Sequence, residues 1–569
     1  MTDNRNMVLA IALSILILMG WSFLAERWFP TAAPQTQQVE NGKVKAAPRV
    51  DAPTPAALRN RALVLAESPR VRIDTPRLSG SINLKGARFD DLLLKTQRET
   101  IADDSPPVRL LSPAGAPGGY FASYGWTGQG VAVPGPDTVW RASAPVLTPG
   151  RPVTLSWDNG AGQRFEQVIA VDSDYLFTVR QRVANSSAGA VGLRTYGLIS
   201  RAQKSADASS WTSHVGPISF LGGGADYDVD WETLDEDKSG VTRDSRGGWL
   251  GFTDKYWLTA LAPAAGAPIE ASLRKSSAGA YQADYAGQSF IAAPGQAMSS
   301  ESRLFAGAKE KAVLDRYEEG GIPYLSKAID WGWFEWFMRP IFDLLMKLFE
   351  LTGNFGVAII GLTLIVRLLM YPIADKQFKS FAGMRKIQPK MKELQERYKD
   401  DRARQQQEIL KLYQAEKVNP VAGCLPILLQ IPIFYALYKV LMVSVEMRHQ
   451  PFVLWIKDLS APDPMTPLNL FGLLDFTPPA LIAIGVLPIL LGVTMWLQFK
   501  LNPAQMDPVQ QKVFAIMPWV LMFVMAPFAA GLQLYWVVNN ILSIAQQKYL
   551  YSRYDSDKGE PQTITVKAK

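Results

Sequence analysis

Residues 354–372, NFGVAIIGLTLIVRLLMYP, constrain this chain more than any other stretch, because they place one arginine inside a long apolar run. A helix rises about 1.5 Å per residue, so this run covers most of a hydrocarbon core roughly 30 Å thick. Arg367 carries a charge there that lipid does not solvate, at a cost of about 2.5 to 3.5 kcal/mol at mid-span. Such a side chain either faces a protein interior or water-filled cavity, or lies near the cytosolic end and snorkels to the headgroups. Thr363 stands one turn away on the same face.

Further apolar runs at 7–25, 421–443, 480–497, 513–528 and 531–549 bring the expected number of spans to six. Their flanks orient them. Between 374 and 420, twelve Lys and Arg face seven Asp and Glu, so this loop is expected in the cytoplasm, as are 502–512 and both termini. The segment 446–479 carries more acids than bases and is expected outside. The first run follows Arg5 and reads as an uncleaved anchor (1–28), a cleaved signal peptide being the alternative. A Pro-, Ala-, Gln- and Thr-rich stretch (29–57) then reads as a flexible linker. Pro426, Pro432, Pro488, Pro518 and Pro527 fit spans whose neighbours satisfy the freed carbonyls.

From 58 to about 322, short segments alternate apolar and polar residues between Gly, Pro and Asp/Asn clusters, the pattern of half-buried antiparallel strands. A hairpin is readable where 152–157 and 164–171 flank Asp158-Asn159-Gly160. In the next strand Tyr175, Phe177 and Val179 point one way, while Thr178, Arg180 and Arg182 point the other. This much strand predicts a large antiparallel β-sandwich, followed by a helix near 308–319. The acids between Asp226 and Asp237 lack EF-hand spacing and read as a solvated loop. With one cysteine, Cys424, and two distant histidines, His214 and His449, no thiol or histidine metal centre and no cofactor is expected.

Residues 329–351 crowd Trp331, Trp333, Phe334, Trp336 and Phe337 ahead of a charged amphipathic pattern, which predicts a helix lying on the bilayer surface. Beyond the second span (354–373), residues 374–420 predict a cytoplasmic helical hairpin broken at Lys399-Asp400-Asp401. Its basic cluster, Arg385, Lys386, Lys390 and Lys392, is either a solvated face or a docking face for RNA phosphate or acidic lipid. In the last span Tyr535, Trp536, Asn539, Ser543 and Gln546 recur at helical spacing as a polar stripe. Gln430 and Gln498 add amides in the third and fourth spans. Interhelical hydrogen bonding explains any one of them. Arg367, Thr363, Gln430 and a whole stripe in one bundle point to a wet cavity.

These stretches, GWFEWFMRPIF leading into the arginine run, MRKIQPKMKELQERY, AEKVNPVAGCLPILLQIPIFYALY and LWIKDLSAPDP, occur in the order seen in the YidC/Oxa/Alb family of membrane protein insertases, which the chain resembles. The anchor and exported β-domain resemble the Gram-negative form. The resemblance implies an inner-membrane insertase: a five-helix core (354–373 and 421–549), a periplasmic β-supersandwich similar to sugar mutarotases, and a short cytoplasmic tail (550–569). It implies that Arg367, Thr363, Tyr535 and Trp536 line a substrate groove, Trp536 standing where the family usually has Tyr; the polar pattern adds Gln430, Asn539 and Ser543 to the same groove. Phe434, Leu437, Phe514, Met517 and Met522 would form an apolar slide, or simply face lipid. Implied partners are nascent membrane proteins, membrane lipids, the Sec translocon, and the ribosome and signal recognition particle receptor through the hairpin; DNA is not among them. Two other classes compete. A mutarotase-like sugar enzyme needs an acid and a base, and the β-domain offers only His214. A secondary transporter of an anionic solute could use Arg367, but no internal repeat is visible.

Overall fold

The computed structural model describes residues 50–51, 58–207, 213–399, 401–416, 425–474, 484–501 and 508–555. The expected first span, nearly all of the linker, Cys424 and the terminal tail beyond 555 lie outside the described residues.

Alternation of apolar and polar residues builds two facing sheets. Among the described residues, one has eleven strands and the other nine. The predicted hairpin is Val153–Asp158 paired antiparallel with Gln163–Val171, which pairs in turn with Leu176–Asn185. Tyr175, Phe177 and Val179 are fully buried, and Arg180 and Arg182 are exposed. Aromatic rings from the two sheets meet edge to face, Phe89 on Phe177 and Trp126 on Phe165, each with centroids 5.2 Å apart. Such contacts add to the burial that holds a sandwich together. Two buried amides also cross between the sheets: Gln167 donates to the Tyr124 carbonyl (2.9 Å) and Gln181 to that of Gly125 (2.6 Å).

The acidic stretch is used structurally. Asp226 pairs with Arg243, Asp230 caps the short helix Trp231–Glu236, and Asp235 holds Lys204 and Lys275.

A helix at Lys311–Glu319 leaves the sandwich and leads to the helix Glu335–Thr352, which buries Met338, Phe342 and Leu345 while Trp333 and Trp336 stay exposed. Gly353, in the left-handed conformation, ends it. Asn354 then caps the arginine helix, Phe355–Leu369, by accepting from the Val357 amide.

At Met370 the chain turns without a loop into Tyr371–Arg397, and Arg402–Ala415 folds back on it. The expected span and hairpin therefore share one continuous bend. Three apolar helices follow, Leu425–Val443, Val486–Leu501 and Pro508–Met525, before the last helix, Ala530–Asp555. The last helix packs on the arginine helix, on Leu425–Val443, on Val486–Leu501 and on the first hairpin helix. Among the described residues no single helix is both long and apolar enough to cross a bilayer; Phe355–Leu369 and Tyr371–Gln377 pass that test together, bent by 55°.

The sandwich is bolted to the helices by polar contacts. Lys439, buried near the end of Leu425–Val443, reaches Asp330 (3.3 Å), which also accepts from the His214 and Gly332 amides. Glu446, whose carboxyl is pushed up by burial, accepts from the Lys311 amide and the Ser444 hydroxyl, both at 2.9 Å. Arg448 donates to the carbonyls of Arg98 and Glu99.

Candidate functional site

The polar side chains of the helical part converge on a seam between the arginine helix and the last helix. Tyr535, Asn539 and Ser543 are spaced four apart, so they stack along one face of the last helix. All three are buried. Arg367 lies in the last turn of its own helix, where a cation also suits the helix dipole.

The guanidinium is held at two heights. Its Nε donates to Asn539 Oδ1 (2.8 Å), and one terminal nitrogen donates to the Asn539 carbonyl (3.3 Å) and to the Ser543 hydroxyl. Ser543 gives its single proton to the Asn539 carbonyl (2.6 Å), which leaves its lone pairs for the arginine. Every one of these acceptors is neutral. Among the described residues no carboxylate forms an ion pair with Arg367.

Further along the seam Gln430 donates its amide to the Tyr535 hydroxyl (2.6 Å). Trp536 points elsewhere and meets Phe434 edge to face at 4.7 Å. The neighbouring aromatics thus do different work: the phenol joins the polar seam and the indole packs on Phe434.

Thr363 is 1% exposed and gives its proton to the Ile359 carbonyl of its own helix (2.7 Å), which leaves its hydroxyl an acceptor only.

The five apolar candidates also divide. Leu437 is 1% exposed and belongs to the packed core, so it presents no surface to a passing chain. Phe434, Met517 and Met522 are half-buried, and Met522 packs close to Gly492. The Phe514 side chain lies outside the described residues. On its helix the exposed apolar residues are Val513, Ile516, Trp519, Val520, Phe523 and Val524. In the hairpin, Lys390 is exposed and pairs with Glu416 (2.7 Å); the side chains of Arg385, Lys386 and Lys392 lie outside the described residues.

Three polar positions escaped the sequence reading. Asn540 donates to Thr494 (3.1 Å), whose hydroxyl donates to the Leu490 carbonyl. Gln533 caps the end of Pro508–Met525 by donating to the carbonyls of Met525 and Phe528, both at 2.8 Å. Lys439 pairs with Asp330. The signal for the last was a lone lysine in an otherwise apolar run.

Comparison with known proteins covers nearly the whole chain. Residues 70–344 match the family model described as YidC periplasmic domain, and residues 347–558 the one described as 60Kd inner membrane protein. Similar curated proteins include the membrane protein insertase YidC of Zymomonas mobilis, 48% identical over 557 residues and covering 97% of this chain and 96% of that protein. That of Methylorubrum extorquens is 45% identical, covering 97% and 95%. Among solved structures, an active YidC insertase crystal structure is similar at a TM-score of 0.36 and 19% identity, covering 85% of this chain and 93% of that one. A galactose mutarotase related enzyme from Lactobacillus acidophilus is similar at 0.30 and 10%, covering 42% and 97%.

Proposed function

The chain belongs to the YidC family of membrane protein insertases, and from that premise we infer how its polar seam would work. The protein is a membrane protein insertase of the inner membrane with a large β-rich periplasmic domain, and it is not an enzyme. In our reading six spans cross the membrane, both termini are cytoplasmic, and the seam lines a hydrated groove open to cytoplasm and lipid.

A substrate's polar, often acidic, tail enters this groove from the cytoplasm. Crossing bare hydrocarbon would leave its polar groups unsatisfied at several kcal/mol each. Arg367, Gln430, Tyr535, Asn539 and Ser543 shorten the dry path by offering partners. No nucleotide is required. The substrate's apolar segment then leaves for lipid along Phe434, Phe514, Met517 and Met522 and the exposed residues beside them, driven by apolar burial. The hairpin receives incoming chains, from the ribosome or the signal recognition particle receptor, through Arg385, Lys386, Lys390 and Lys392. The insertase works alone or beside the Sec translocon.

One observation carries this reading: among the described residues Arg367 is fixed in place by neutral acceptors, so its charge is positioned without being cancelled there. A solute transporter would also need a second gated half, and nothing among the described residues favours one.

The test is insertion into proteoliposomes by Arg367→Ala and Arg367→Lys variants, using substrates with acidic or neutral tails. Hydrogen bonds to charged groups contribute roughly 1.5–3 kcal/mol, so Ala should slow acidic-tail insertion by roughly one to two orders of magnitude and spare neutral tails. Lys should rescue in part, since it restores the charge without the planar fork that reaches Asn539 and Ser543. Equal losses for both tails would sink the electrostatic role.

A further inference from the structure

The external loop after Leu425–Val443 collects the starts of three helices. The Phe452 carbonyl accepts from Asn354, the cap of the arginine helix (3.0 Å). The Met465 carbonyl accepts from the Val486 amide (3.0 Å), while Asp463 accepts from Leu487 (2.7 Å) and from the Trp455 indole (2.9 Å). The carbonyls of Ala461 and Leu459 accept from Ala530 and Gly531, at 2.7 and 2.9 Å, where the last helix begins. Helix starts expose amides that need acceptors; the loop supplies them for two of these helices and holds the cap residue of the third. The ring of Phe452 also lies so close over Gly356 that any side chain there would collide with it. Arg448 and Glu446 hold the loop's beginning against the sandwich, which fixes this as the periplasmic side. Residues 452–465 are therefore level with the periplasmic ends of three membrane helices.

What leaves this level is apolar. From Pro464 to Leu474 the chain carries no charged residue. It forms a tight turn, Pro467–Gly472, in which Leu470 and Phe471 both adopt left-handed backbone angles (φ 48° and 59°). Bulky residues seldom take that conformation, and here it leaves Leu468, Leu470, Phe471, Leu473 and Leu474 exposed, Leu473 to 84%. An uncharged cluster of this kind in water would be an aggregation liability. At the rim of a bilayer it has a solvent of its own.

We propose that Pro467–Leu474 is a monotopic anchor whose leucines and Phe471 insert into the periplasmic leaflet, at the boundary between headgroups and acyl chains. The partner is lipid: the loop is continuous with three helix ends that already meet the bilayer, and it offers no charge for a polar partner to read. Docked in the leaflet, the turn holds the cap over the three helix starts at a fixed depth.

The test uses the full chain in a Cys424→Ser background, with Phe471→Cys or, separately, Leu473→Cys carrying an environment-sensitive fluorophore. The protein is reconstituted in phosphatidylcholine and phosphatidylglycerol vesicles. Lipid insertion predicts blue-shifted emission, protection from aqueous iodide, and stronger quenching by spin labels near the headgroup than by labels near the acyl terminus. A label on Lys457→Cys, an exposed position of the same loop, should be quenched by iodide. Adding Leu474→Asp should red-shift the label at 473. Iodide quenching at 471 and 473 equal to that at 457 would overturn the proposal. So would shielding from both iodide and lipid spin labels, the signature of a protein partner or a second copy. Leu473 is mostly exposed, so its label reports even if Phe471→Cys fails to fold.

Discussion

Two arginines, one in each half of the molecule, show how the halves differ. Arg201 in the sandwich is half-buried and meets the buried Asp254 with two parallel hydrogen bonds, at 3.1 and 2.9 Å, beneath the rings of Tyr120 and Trp231. Among the described residues, Arg367 in the helical half meets a side-chain amide, a hydroxyl and a backbone carbonyl. The first charge is cancelled where it stands, and the second is aimed but left whole. A neutralised arginine serves the fold; on the proposed function, an arginine held by neutral acceptors remains available to a visitor.

The comparison breaks most sharply at Arg201. Replacing it with Ala strands Asp254 in the interior and should destabilise the sandwich by about 3–5 kcal/mol, read by thermal unfolding of the purified protein. Arg201→Met with Asp254→Leu should recover most of that loss. If Arg201→Ala left the melting transition unmoved while Arg367→Ala lowered it, the assignment of roles would be reversed.

A second prediction concerns Lys309, which is buried beside Thr253 (3.0 Å) and surrounded by Asp254, Asp330, Asp207 and Lys439. Burial holds its ammonium down to about 8, against an ordinary 10.5. The unfolded chain binds that proton more tightly, so the penalty is fully present below pH 8 and disappears as pH rises toward 10.5. Stability should therefore rise across this window by up to about 3 kcal/mol relative to a Lys309→Met variant. Parallel pH curves for the two proteins would refute it.

Asn539→Ala sharpens the other side of the comparison. It removes one neutral acceptor and leaves the charge, so acidic-tail insertion should fall several-fold, less than in Arg367→Ala, with no change in melting. The smallest effect is expected from Lys390→Gln. Its pair with Glu416 is exposed and contributes at most about 0.5 kcal/mol, so the hairpin should stay folded. If the basic face docks partners electrostatically, the salt dependence of substrate delivery should become shallower; an unchanged slope would leave the face merely solvated.

Much of the architecture could be read from local pattern. The strands around Asn159 and the polar stripe from Tyr535 to Ser543 obey periodicities of two and of about 3.6, which the sequence displays directly. The partner choices within that pattern could not be read. Thr363 shares a face with Arg367, and the sequence does not show that the carbonyl four residues back takes its proton. Leu437 has the same apolar character as Phe434, and only packing decides which of them is covered. Asn540 was passed over beside Asn539 because one step around a helix, about 100°, turns it toward Thr494 instead. The contacts joining the halves, Lys439 with Asp330 and Glu446 with Lys311, link positions more than a hundred residues apart. No local period records them.

The bend at Met370 makes the hairpin a lever. The Met370 amide closes the arginine helix on the Val366 carbonyl at 3.0 Å, and its own carbonyl receives Ala374 at 3.0 Å to open the next helix. With no slack between them, the two helices share a single fulcrum one turn below Arg367. The outer arm, Tyr371–Arg397, is roughly 40 Å long at 1.5 Å per residue, so a swing of about 10° carries its tip through roughly 7 Å. On the proposed docking role, a load taken up at the hairpin's tip would reach the guanidinium as torque, passed along an arm that contains Pro389 and packs against the last helix.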